Sequence, residues 1–180
     1  MTLADIPFVR LRSGLPKSLL DGKASYIQAV AAAQGHIGPP GLVIDFRGQR
    51  VEAAGHSVTL PPADLAFLAW FARRAQNGLD GLPCCPNPRL ENGEASMPHA
   101  QAYLEEYQCI VGPMADDERT RQRYRQGMSK ADFEERKSKL KSALSTALGA
   151  AAQPYLIQGQ GRRPMRYRLS LPSGAIRFVT

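Results

Sequence analysis

The apolar positions of this chain fall into short runs with two different periods. Leu42-Val-Ile-Asp-Phe46 is apolar enough for a buried strand, Arg50-Val-Glu-Ala53 alternates, and Ser57-Val-Thr-Leu60 is rich in β-branched residues. Arg47-Gly-Gln49 and Ala54-Gly-His56 separate them as turns, so the stretch predicts a small antiparallel sheet of up to three strands. Pro61-Pro-Ala-Asp64 then opens a helix, because proline suits a first turn and Asp64 complements its positive end. Leu65, Phe67, Leu68, Trp70 and Phe71 give that helix a broad buried face, with the sole tryptophan expected in the core. Arg73 and Arg74 suit its C-terminal dipole, and Asn77-Gly78 ends it.

Gly81 to Met97 reads as loop, with its prolines, glycines and asparagines. A second helix is expected from Pro98 to about Ile110, with Tyr103, Leu104, Tyr107 and Ile110 at helical spacing and Gly112-Pro113 as its breaker. Ala115 to Gln126 predicts a short exposed helix, acidic at its start and basic at its end. The third major helix begins at Ser129, with Asp132 placed for a capping box and Phe133, Leu140, Leu144 and Leu148 on one face. Gly149 is its stop signal. A hairpin follows, pairing Tyr155–Gln158 with Met165–Leu171, where Arg166, Arg168 and Ser170 alternate with Tyr167, Leu169 and Leu171. Ala175–Val179 is a candidate edge strand. Residues 1–36 read as an appendage, an extended arm over Thr2–Arg12 and a helix over Lys17–Gln34, joined by Gly38-Pro-Pro-Gly41 to a main domain.

This order predicts an α+β fold, a winged helix-turn-helix over residues 37–180. It has an N-terminal antiparallel sheet, three main helices and a C-terminal β-hairpin wing. Charge sharpens the expectation. The net charge is +7, but from Arg119 onward 14 Lys and Arg face 3 Asp and Glu, a net of +11, whereas residues 1–118 carry −4. A chain polarised in this way calls for an acidic partner, and nucleic acid is the usual one. The expected phosphate contacts are Lys130, Arg136, Lys137, Lys139 and Lys141 on the third helix, and Arg162, Arg163, Arg166 and Arg168 on the wing. Base reading would fall to Ser129 or Lys130. Glu134 and Glu135 on the same helix oppose phosphate, and with the apolar residues of 1–36 they favour the alternative, a protein-interaction or dimerisation module without direct DNA contact.

No apolar run approaches the roughly 20 residues that span a bilayer. Met1–Leu20, interrupted by Asp5, Pro7, Arg10 and Arg12, is no secretory signal, so the expected compartment is the cytoplasm. Cys84, Cys85 and Cys109 are a poor disulfide framework, and with His99 they lack metal-ligand spacing. No catalytic motif is present. Asp45 with Glu52 and His56 is the least poor acid–base cluster, more simply read as sheet-edge polar residues. Neither enzyme activity nor a cofactor is expected, and the partners expected are nucleic acid, duplex DNA above all, and a second copy of the chain.

Two resemblances bear on this reading. Leu42-Val-Ile-Asp45, Arg50-Val51 and Val58-Thr-Leu60 before the first helix, with the strand pair around Gly159-Gln-Gly161, resemble the DNA-binding domain of OmpR-like response regulators. The stretch from Gly112 to Gly127 is a departure from that pattern. Over nearly the whole chain, Thr2-Leu-Ala-Asp-Ile-Pro-Phe-Val-Arg-Leu-Arg12, Leu60–Arg74 and Pro154-Tyr-Leu-Ile157 look like the C-terminal portion of a CRISPR-associated family. In that family a CARF domain, a Rossmann-like sensor of cyclic oligoadenylate, precedes a winged helix, and some sensors are ring nucleases. The resemblance implies that residues 1–36 are the tail of the sensor or its connection. It also implies a role in antiviral defence, with a CRISPR sensor domain or effector as a possible partner, and carries over no catalytic residue.

Overall fold

The computed structural model describes residues 40–83, 85, 95–112, 117–161 and 165–179. The arm and helix expected over 1–36 lie outside these residues, as do Cys84 and the wing residues Arg162 and Arg163. The described chain is a mixed α+β unit beginning at Pro40.

Three strands form first: β1 (Leu42–Asp45), β2 (Arg50–Ala53) and β3 (His56–Thr59). They pair antiparallel in register, Leu42 opposite Ala53 and Val51 opposite Val58. The tight β2–β3 turn puts Ala54 and Gly55 at φ 50° and 74°, the doubly left-handed conformation that suits the right-handed strand twist. Leu42, Ile44, Val51, Ala53 and Val58 all face the core. The sheet gains a fourth member from the far end of the chain. Strand β7 (Ile176–Val179) lies parallel to β1, which makes the sheet mixed rather than antiparallel, in the order β3-β2-β1-β7. The edge strand expected at Ala175–Val179 is thus an edge, but of the first sheet and not of the hairpin.

Helix α1 (Pro62–Gln76) follows, with every residue from Asp64 to Ala72 buried. Helix α2 (Met97–Val111) is capped by Ser96, whose hydroxyl accepts from the His99 amide. The short α3 (Glu118–Arg123) follows, then α4 (Lys130–Leu148). The capping box expected at Ser129 forms in full: its hydroxyl accepts from the Asp132 amide at 3.1 Å, and Asp132 accepts from the Ser129 amide at 3.3 Å. A 3-10 segment, Gly149–Tyr155, leads into β5 (Ile157–Gln160), which pairs antiparallel with β6 (Arg166–Leu169).

Two departures from the sequence pattern matter. Tyr155 belongs to the 3-10 segment and not to the hairpin, because its ring is buried and its hydroxyl accepts from the Ala54 amide at 2.9 Å. The stretch expected as loop after Gly81 contains β4 (Leu82–Pro83), which pairs with Tyr167 and Arg166 and completes a second sheet in the order β4-β6-β5. A two-residue strand holding a proline has no period to detect, and proline is tolerated there because the strand is an edge.

One aromatic cluster joins the parts. The Phe133 ring of α4 lies 5.4 Å from Phe67 and 6.1 Å from Phe71 on α1, and 5.2 Å from Tyr167 on β6, centroid to centroid. Trp70, 4% exposed, closes the cluster at 6.4 Å, in the core as expected. Such contacts each add about 0.5–1.5 kcal/mol beyond the area buried, so Phe133 fixes both the depth and the rotation of α4.

Candidate nucleic-acid interface

Fixing that rotation decides which cations of α4 reach solvent. Phe133, Leu140, Leu144 and Leu148 face inward. Lys130, Glu134, Lys137 and Lys141 then fall on one i, i+4, i+7, i+11 ridge along a flank of the helix. This ridge runs beside the hairpin: the Lys137 ammonium sits 4.3 Å from the centre of the Tyr167 ring, and the Tyr167 hydroxyl donates to Glu134 at 3.2 Å. Lys137 also pairs with Glu134. Lys130 and Lys141, about three turns apart, are exposed and pair with no carboxylate among the described residues.

The opposite flank of α4 is acidic by sequence and close to neutral by structure. Asp132 and Glu135 both accept from Arg123 of α3, at 2.6 Å in each case, and Lys139 reaches Glu135 at 2.7 Å. Hydrogen bonds from Lys139 and then Arg123 hold the Glu135 carboxyl at about 2, well below the usual carboxylate range. The two glutamates that oppose phosphate are therefore both engaged by cations. Arg123 was legible only as one arginine in a polar run, since its partners lie 9 and 12 residues away and the fold brings them to it.

Arg136 needs correction. Expected as a phosphate contact, it points inward from α4 to Asp64 at the start of α1, at 3.2 Å, with only 13% and 9% of the two side chains exposed. Burial works against its charge, but the neighbouring Tyr124, Tyr103 and Asp64 hold its pKa above the ordinary arginine value. It is a core ion pair that sets α4 against α1. Lys137, half-buried under Glu134 and Tyr167, has little reach, and Lys139 is exposed but paired. On the wing, Arg166 and Arg168 are exposed, and Arg166 donates to the Gly81 carbonyl at 3.0 Å.

The other polar candidates are structural. Asp45 accepts from the Gly48 amide at 2.9 Å and from Arg50 at 3.0 Å, closing the β1–β2 turn, and the Gly48 bond is the main cause of its lowered pKa. His99 uses both ring nitrogens: Nε2 donates to the Pro83 carbonyl at 2.9 Å, so Nδ1 accepts from the Ser96 hydroxyl at 2.6 Å. Burial lowers its pKa and keeps the ring neutral. This bridge ties β4 to the start of α2. Among the described residues no group of three or more His, Cys, Asp or Glu side chains is placed to hold a metal, and no helix is long and apolar enough to cross a membrane.

Comparison with protein-family models, with curated proteins and with solved structures finds no match in any of the three.

Proposed function

We propose that residues 40–180 form a winged-helix module that binds nucleic acid, with duplex DNA favoured. The observation that carries this reading is the second sheet. Its order β4-β6-β5, with β4 between α1 and α2 and the hairpin after α4, gives the sequence helix, strand, helix, short helix, helix, hairpin around one aromatic cluster. In that topology α4 is the element offered to a groove, with the β5–β6 strand pair beside it. Lys130 and Lys141 supply phosphate contacts on the ridge beside the wing, and the N-terminal end of α4 is the part placed for base edges. The long connection holding α3 supplies Arg123, which neutralises the acidic flank of α4.

The module acts as a dimer in CRISPR-linked antiviral defence, in line with the resemblance to CARF-associated winged helices. The test is a salt titration of binding to a labelled random duplex of about 30 base pairs, with single-stranded RNA alongside. Tight duplex binding that weakens steeply with salt supports the reading. No binding to either at low salt removes it. One observation favours the second reading, a protein-interaction module: α2 and α3 border a hollow of about 400 Å³, and Met97 at its rim is 55% exposed. Self-association lost on Met97→Asp, without duplex binding in the wild type, would select that reading.

A further inference from the structure

We infer that the outer face of the small sheet, with the hollow at its end, is a separate binding site for single-stranded nucleic acid. The site goes beyond the duplex reading and does not depend on it. Alternation along β6 sends Tyr167 and Leu169 into the core, and Tyr167 touches α4 through Lys137 and Glu134. Arg166 and Arg168 therefore lie on the opposite face of the sheet, turned away from α4. In register with them on β5 are Gln160 and Gln158. The three strands contribute no carboxylate to this face. A duplex seated on α4 leaves it uncovered.

Because β4 is only two residues long, β6 runs on past its partner. The unpaired edge from Arg168 onward, the last turn of α1 and residues 78–80 enclose a hollow of about 410 Å³. Phe71, Leu171 and Leu79 give it apolar walls, and Leu79 is 52% exposed. Arg74, Arg168 and Ser170 give it polar groups, with Asp80 as its one acidic residue, so the two arginines leave it net cationic. The Arg74 guanidinium donates to the Asp80 carbonyl at 2.8 Å; burial is the main cause of its lowered pKa, and the charge of Asp80 works the other way.

These features select a single strand over a second duplex. The face is built of strands of two to four residues, and among the described residues no helix rises from it to enter a groove. A duplex keeps its bases stacked, so only its phosphates would meet Arg166 and Arg168. A single strand can lay its backbone along the two arginines and splay a base into the hollow. There it meets apolar walls, the plane of a guanidinium and hydrogen-bonding groups for its edge, the means by which unstacked bases are recognised.

The test is anisotropy of a labelled single strand of about 12 nucleotides on the full chain, with and without saturating unlabelled duplex. The single strand is expected to bind in both conditions. Arg166→Glu with Arg168→Glu, both exposed and outside the core, is expected to weaken it about tenfold or more. The same pair should flatten the slope of log K against log salt by about 1.4, at roughly 0.7 per contact, with duplex affinity on α4 changing far less. Competition between single strand and duplex, failure to bind the single strand, or an equal loss of both on the double substitution would overturn the inference. Failure of the duplex alone, with single-strand binding intact, would instead overturn the α4 reading.

Discussion

Replacing Arg136 with methionine separates a core ion pair from a phosphate contact. Arg136→Met keeps the length of the side chain and most of its packing, and removes the charge facing Asp64. Asp64 stays where it is, 9% exposed, with no other cation paired to it among the described residues. Breaking a buried pair by removing one partner costs about 3–5 kcal/mol, because the remaining charge is stranded. Here the contact is a single bond at 3.2 Å and the Arg136 side chain is 13% exposed, so the lower end applies, about 3 kcal/mol. At roughly 2–4 °C per kcal/mol for a unit somewhat over 100 residues, the melting temperature should fall by about 6–12 °C. Removing both charges with Asp64→Leu and Arg136→Met should recover most of the loss, since an apolar pair of similar volume replaces a desolvated one. Thermal and urea unfolding of the two single variants and the double variant measure this directly. Duplex binding by folded Arg136→Met should keep the wild-type salt slope, whereas loss of a phosphate contact would flatten it by about 0.9. A stability loss under 1 kcal/mol, or a double variant as unstable as the two single losses added, would refute the reasoning.

Other expectations are independent of that pair. Tyr155→Phe leaves the Ala54 amide without its acceptor and should cost about 1–3 kcal/mol in urea unfolding. An unchanged midpoint would show that water replaces the hydroxyl. Gly127 sits at φ 98°, and an added Cβ would meet the Ala95 carbonyl carbon and oxygen at 2.7 Å. Gly127→Ala should therefore destabilise by about 1–3 kcal/mol or more, and a neutral effect would mean that the adjoining backbone pair Ser96 and Met128, whose amides and carbonyls bond reciprocally at 2.9 and 3.0 Å, moves freely. The depressed pKa of Glu135 means that its ion pairs stabilise the fold above the ordinary carboxylate value, and that this contribution fades as pH falls from about 4.5 toward about 2. The stability gap between wild type and Arg123→Ala should accordingly narrow between pH 6 and pH 3, and a gap constant with pH would deny the network that role.

The elements with a strong period were legible in the sequence. The three strands from Leu42, the aromatic face of α1, the box at Ser129 and the alternation of Arg166–Leu169 all follow from local chemistry. What was not legible depends on partners distant in the chain. Leu82-Pro83 becomes a strand only because β6 is beside it, and Tyr155 turns inward only because the β2–β3 turn offers an amide. β7 joins the first sheet across the whole length of the domain. The same division holds at the interface. Lys130 and Lys141 could be read as exposed from the helical period, because apolar neighbours mark the buried face. Arg136 carries the same charge on the same helix and lies at the border of that face, so only the position of Asp64 decides that it is structural. Likewise, alternation alone places Arg166 and Arg168 on one face, but the contact of Tyr167 with Lys137 is needed to show that this face turns away from α4.

The ridge of α4 is tested most directly by lysine footprinting. The protein is acylated at low extent, free and with saturating duplex, and each lysine is quantified by mass spectrometry. Lys130 and Lys141 should be shielded by the duplex, while Lys139, on the far flank and paired with Glu135, should keep most of its reactivity. Lysine reactivities unchanged by bound duplex, or Lys139 shielded in preference to Lys130 and Lys141, would contradict the placement of nucleic acid on this ridge.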